Sequence, residues 1–355
     1  MRVPRANPAT ANRVRADDLT PSTQRLLQAG LAASTRSTYR AGVNKFLHYC
    51  EVAQVKHRDR LPAPEHVLAN FVGSIATSVS PGTIRVYLSA IRAWHIDHGY
   101  ADPLVDALLL ERCVRGARRL YSRPRRTRLP FTANLLRKIW PVQVDQGWND
   151  VLFRATVSLG FFGFLRLGEF ALTNIGTSFD PLKHACLSDL TFHYNNSKLS
   201  HAAFTIKVSK TDPFRCGSTV HIGATGNRRC PVKALLDYTD ARRLLADAAA
   251  DESTVPLFCQ ADMTPLSKPV FVSMMTTRLQ RAGVDSTGYS GHSLRIGAAT
   301  SAAAAGVPDW LIKVMGRWRS DAYQRYVHTP LKNVLEIAPT LATCSVTSST
   351  PIYST

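Results

Sequence analysis

One short window of alternating sequence sets the fold class. Almost everywhere apolar residues recur at helical spacing, and between His184 and Ile222 the period falls toward two. There LSDLTFHY, AFTIKVSK and STVHI read as short strands. Ser34 to Tyr39 offers a Ser/Thr cap ahead of Val43, Phe46, Leu47 and Tyr49. Pro64 to Thr77 repeats the pattern through Val67, Phe71, Val72 and Ile75. The turn Ser80-Pro81-Gly82-Thr83 starts a third helix carrying Ile84, Tyr87, Leu88, Ile91 and Trp94, and Pro103 opens a fourth to about Gly116. Further on, Ala133–Trp140, Trp148–Phe162, Pro231–Ala249, Ser267–Ala282, His292–Ala305 and Trp310–Met315 read as helices. The expected class is mostly α with a small antiparallel β-sheet.

The charge balance narrows the partner. Lys and Arg number 44 against 25 acidic residues, a net charge of +19, which calls for a polyanion such as nucleic acid. Seven cysteines without a CxxC pair argue against a disulfide framework and for a reducing, intracellular compartment, the nucleus in a eukaryotic host. Cys216, His221 and Cys230 match no familiar zinc spacing, so no metal is expected. The run Val157 to Leu165 is too short to cross a membrane and stops at Arg166. The N-terminus lacks the apolar stretch of a signal peptide. Asn195-Asn196-Ser197 fits the glycosylation pattern, but without such a signal it reads as chance.

Composition divides the chain into five parts. Residues 1–20 read as a flexible basic arm, 21–121 as a compact helical domain, 122–131 as a basic linker, 132–339 as a second domain and 340–355 as a flexible tail. The stretch from Gly116 to Thr132 holds six arginines, Arg118, Arg119, Arg123, Arg125, Arg126 and Arg128, and two prolines. It is either a solvated connector or a strap that tracks phosphates, and the two are compatible.

Several residues could carry chemistry. His292 and Arg295 share a face in the first turn of a helix, where free N–H groups and the dipole favour an anion. A surface pair at a helix start is the plain alternative. Arg166 ends the apolar stretch in GFFGFLRLGEF and needs a partner there. Glu169 supplies it, as a simple ion pair or as a brace that aims Arg166 at a phosphate. Lys210 in KVSKTDPFRCG sits at a hairpin tip, solvated or reaching into a groove to protonate a leaving oxygen. Tyr326 follows Trp318 and could be core, or could attack a phosphodiester surrounded by cations.

In this order the set resembles the tyrosine recombinases, also called the phage-integrase family. Arg166 in RLGEF matches the first arginine and Glu169 the acidic position after it. Lys210 in SKTD matches the hairpin lysine, and GHSLRIGAAT supplies His292 and Arg295. GRWRSDAYQRYVH matches the last box, with Tyr326 the implied nucleophile and Tyr323 the lesser choice. One departure stands out. Trp318 lies one residue too close to Tyr326 for the common His/Trp position, where Arg317 fits; Trp318 is preferred because an aromatic side chain can pack on a phosphate. STYRAGVNKFLHYC and PGTIRVYLSAIRAWH resemble helices of the family's core-binding domain. Wording such as SKTDPF and GRWRSDAYQRYVHT looks more like recombinases of eukaryotic mobile elements than like bacterial resolving enzymes.

The resemblance implies a SAM-like core-binding domain followed by a catalytic domain, closed as a clamp on double-stranded DNA. It implies strand cleavage and rejoining through a 3′-phosphotyrosine, and a homotetramer on paired sites. It also implies no cofactor, no metal, no membrane and no small-molecule substrate. A type IB topoisomerase-like enzyme and a catalytically silent, domesticated DNA-binding protein are the alternatives.

Overall fold

The computed structural model describes residues 19–122, 128–140, 147–210, 212, 214–245, 251–325, 335 and 339. The expected N-terminal arm to residue 18, Arg123, Arg125, Arg126, Tyr326 and the tail from 340 lie outside the described residues. Two compact units are present, Met1–Arg125 and Arg126–Thr355.

The first unit is helical: α1 (Pro21–Ala29), α2 (Ala33–Val52), α3 (Glu65–Ile75), α4 (Pro81–Asp97) and α5 (Leu108–Tyr121). Ser80 caps α4 by accepting from the Thr83 N–H at 3.1 Å, as the turn chemistry predicts. Phe46, Leu68, Phe71, Ile84 and Ile91 are buried together in its core. Two expectations shift. Pro103 does not open the fourth expected helix; that helix starts at Leu108 and runs to Tyr121, because Ala117 is buried on its inner face. α1 is an addition to the expected helices, and it buries none of its residues. Arg118 and Arg119 therefore stand on an exposed helix face, not on a connector.

The second unit holds α6 (Ala133–Ile139), α7 (Trp148–Phe162), α8 (Pro231–Leu245), α9 (Lys268–Arg281), α10 (Ser293–Ala304) and α11 (Asp309–Met315). Its sheet is antiparallel in the order β1 (Leu190–Asn195), β2 (Lys198–Ile206), β3 (Ser218–Gly223). Asn196 and Ser197 both take positive φ, 47° and 61°, and form the tight turn from β1 to β2. The sequon is thus a hairpin turn, and β2 begins at Lys198, five residues before the expected Ala203. α7 is buried from Val151 to Phe161 except at Arg154, and Thr156 and Ser158 are buried with its apolar residues.

The segment from Arg128 to Ala133 is pinned to α10. The Phe131 N–H bonds the Ser293 carbonyl at 2.9 Å, and the Ala133 N–H bonds Ser301 Oγ at 2.9 Å. Between them sits Gly297, where a Cβ would lie 1.9 Å from the Phe131 carbonyl oxygen. Residues 293, 297 and 301 follow one another at helical spacing on one face of α10. This fixes Arg128 near the start of α10, where His292 is.

Urea unfolding should show Gly297→Ala losing about 1–3 kcal/mol through overpacking. Ser301→Ala should lose about 0.5–1.5 kcal/mol, the usual worth of one hydrogen bond. A neutral Gly297→Ala would mean that the segment is not held against the helix.

Candidate active site

α7 and α11 end in the same way. At the end of α7 the chain turns through Phe164, at φ 51°, and the Leu165 N–H reaches back to the Gly160 carbonyl at 2.9 Å. At the end of α11 it turns through Arg317, at φ 52°, and the Trp318 N–H reaches the Lys313 carbonyl at 3.0 Å. Such left-handed C-caps usually carry glycine, and another residue there costs roughly 1–2 kcal/mol.

Arg295 joins these two ends. Its Nη1 donates to the Phe164 carbonyl at 2.7 Å, and its Nη2 donates to the Gly316 carbonyl. The guanidinium lies 4.3 Å from the centroid of the Trp318 ring. Arg295 is only 2% exposed. A buried cation needs compensation. Two helix C-terminal carbonyls and an aromatic face provide it. Trp318 also meets Phe164 edge to face and Tyr323 at 5.9 Å between centroids. A Cβ on Gly316 would fall 1.6 Å from the indole ring, so glycine is what lets Trp318 lie there.

Arg166 caps a short 3-10 turn, Leu167–Glu169. The Glu169 carboxylate accepts from the Arg166 backbone N–H at 2.9 Å and from Arg166 Nη1 at 3.0 Å. It also accepts from Arg317 Nη2 at 2.9 Å, across 148 residues of sequence. The Glu169 side chain is 3% exposed, so both contacts act away from bulk water.

His292 lies at the N-cap of α10. Burial lowers its pKa, and the charges of Arg128, Arg295, Arg166 and Lys210 lower it further. Arg128, Arg295, Arg166 and Lys210 thus all bear electrostatically on His292. Lys210 is exposed in the turn between β2 and β3. Lys207, earlier in the same hairpin, is tied to Asp189 at 2.8 Å and to the Pro181 carbonyl at 2.9 Å. Tyr323 is 5% exposed and part of the core.

The structure thus brings together Arg166, Glu169, His292, Arg295, Trp318, Lys210 and Arg128. It puts both candidates for the His/Trp position at the site, Trp318 on Arg295 and Arg317 on Glu169. Sequence reasoning missed the carbonyls of Phe164 and Gly316. The available signal was the glycine closing each helix, Gly163 and Gly316. Among the described residues no group of three or more His, Cys, Asp or Glu is arranged to hold a metal ion, and no helix is long and apolar enough to cross a membrane.

No family model matches the chain. The "Integrase/recombinase xerD homolog" of Selenomonas ruminantium is 25% identical over 311 residues, 86% of this chain and 84% of that protein. The XerH site-specific recombinase in a post-cleavage complex with palindromic difH substrate has a TM-score of 0.61 at 16% identity, covering 92% of this chain and 86% of that one. A lambda integrase dimer bound to a COC′ core site gives 0.52 at 14% identity, covering 87% and 93%. The Tn1549 transposon integrase with transposon right end DNA gives 0.52 at 14%, covering 90% and 98%. The solved structures share the fold of this chain, mostly helical with a small three-stranded antiparallel sheet.

Histidine NMR on the free protein should show His292 titrating below the ordinary histidine range. Arg128→Gln removes a repelling cation and should move that value upward. No movement would place Arg128 away from the site.

Proposed function

We propose that this protein is a site-specific DNA recombinase that cleaves and rejoins strands through a covalent 3′-phosphotyrosine, in the service of a mobile genetic element. The observation that carries the reading is the pairing of Arg166 and Arg317 on the single carboxylate of Glu169, with Arg128, Arg295 and Lys210 as further cations that bear on His292. A site with that surplus of cations suits a phosphate whose charge grows in the transition state.

The phenol oxygen of Tyr326 attacks the phosphorus in line and the P–O5′ bond breaks. Lys210 gives its proton to the departing 5′-oxygen, a step generally worth about 10²–10⁴ in rate. His292, held neutral by burial and its cationic neighbours, has a lone pair to accept the phenol proton. Arg166 and Arg295 hold the non-bridging oxygens, Glu169 orients Arg166, and Trp318 seats Arg295. The 5′-hydroxyl of another strand then attacks the phosphotyrosine and expels the phenolate. One phosphodiester is exchanged for another, so bond energy is conserved and no ATP is consumed. Burial of Tyr323 against Trp318 supports Tyr326 as the nucleophile. Exchange between two sites engages four copies, one for each strand cut. Arg118, Arg119, Arg123, Arg125, Arg126 and Arg128 supply contacts to the backbone of double-stranded DNA.

The protein is incubated with a library of randomised, nicked duplexes, denatured, and the DNA that stays attached is sequenced. Wild type should retain an enriched motif. Tyr326→Phe should retain none and still bind DNA natively. Adducts with Tyr326→Phe would move the nucleophile to Tyr323. Native binding without any wild-type adduct would favour a silent DNA-binding protein, and plasmid relaxation without two-site exchange a topoisomerase.

Replacing Arg123, Arg125 and Arg126 by Gln should weaken binding to all sequences alike. The slope of log K against log salt should fall by about 0.9 for each phosphate no longer neutralised. An unchanged slope would mean that these arginines do not touch DNA.

A further inference from the structure

We propose that Phe214 is an apolar wedge that enters the base stack of the DNA beside the cleaved phosphate, on the side of the departing 5′-oxygen. This rests on the recombinase reading above and assigns that site a residue that senses how easily one base step opens.

The turn between β2 and β3 is built around Asp212. Its N–H bonds the Ser209 carbonyl at 3.1 Å and closes a tight turn over Lys210. Its carbonyl accepts from the Arg215 N–H at 3.4 Å and closes a second turn over Phe214. Its carboxylate accepts from the Gly217 N–H at 2.8 Å. Arg215 and Gly217 both take left-handed backbone, at φ 56° and 74°, and bring the chain back into β3. One aspartate thus ties the turn that carries Lys210 to the turn that carries Phe214.

Phe214 is 87% exposed and belongs to neither core. Every other phenylalanine of the chain is buried or half-buried. A single exposed apolar residue is ordinary on a protein surface, so its neighbours decide what it does. Here they are Lys210 and Arg215, both exposed. Cations on either side of a bare ring suit a polyanion and oppose entry into an apolar pocket of another protein. Proteins that kink DNA use the same pairing, with arginine or lysine in the groove and an apolar side chain between two bases.

Chain length sets the reach. Lys210 and Phe214 are four residues apart, so their Cα atoms stand no more than about 14 Å from one another. A base step rises about 3.4 Å. With Lys210 at the 5′-oxygen, Phe214 meets one of roughly the first four base steps on that side. Pyrimidine–purine steps open most readily, so the ring favours sites that have one there.

The probe is the duplex recovered by tyrosine-dependent capture, with 2-aminopurine placed in turn at each of those steps. The fluorescence of this base rises when it is unstacked. Tyr326→Phe protein, which binds without cutting, should raise the signal at one step. Adding Phe214→Ala should abolish the rise, and adding Phe214→Leu, still an apolar wedge, should keep it. With Tyr326 intact, Phe214→Ala should lower adduct formation about 10–100-fold on the paired duplex, and less than about threefold when a mismatch already opens that step. The melting temperature should not drop, since the ring lies outside both cores. No rise at any step, or equal losses on the paired and mismatched duplexes, overturns the proposal and leaves the recombinase reading standing. Full adduct formation with only two-site exchange lost would put Phe214 against another copy of the protein and overturns it as well. Absence of any adduct from wild type overturns the recombinase reading and this proposal with it.

Discussion

The contact between Arg295 and the ends of two helices governs the second unit. α7 and α11 both stop in left-handed caps, and each leaves a carbonyl pointing inward. A single guanidinium takes the Phe164 carbonyl on one side and the Gly316 carbonyl on the other. The helix dipoles place partial negative charge where the cation is buried. Removing Arg295 would therefore orphan two carbonyls, unseat Trp318 and loosen the approach of α11 to α7. The residue that reads as a phosphate ligand is also a structural rivet, and this accounts for its near-complete burial.

α10 is the spine on which this arrangement hangs. Its first turn carries His292 and Arg295, and the face through Ser293, Gly297 and Ser301 receives the extended segment from Arg128. The same helix thus sets the position of the buried cation and of a second cation delivered by that segment. Its small residues are what permit such close approach, since a side chain at 297 would meet backbone that cannot yield.

The charge pattern follows from these positions. Glu169 is the carboxylate that faces both Arg166 and Arg317, and it is nearly out of solvent. Around it stand more positive groups than it can balance, and burial first, then these cations, holds the pKa of His292 below the ordinary histidine value. Arg118 and Arg119, on the exposed face of α5, add charge in the first unit.

Much of this was legible in the sequence, and the limits have a physical cause. Periodicity located α7 to its observed ends and the sheet to its three strands, because amphipathic and buried elements advertise their spacing. Arg166 could be picked out because an arginine is costly at the end of an apolar stretch, and Lys210, His292 and Arg295 because of their order and spacing. α1 escaped because it buries nothing. Local pattern could not say which side chain at 317 and 318 meets Glu169 and which meets Arg295. That was decided by a left-handed cap, a missing Cβ on Gly316 and a carboxylate 148 residues away. Sequence determined the elements and the chemistry available to them. Only the tertiary structure decided which charges share a partner, because that depends on distances between residues that the chain order keeps far apart.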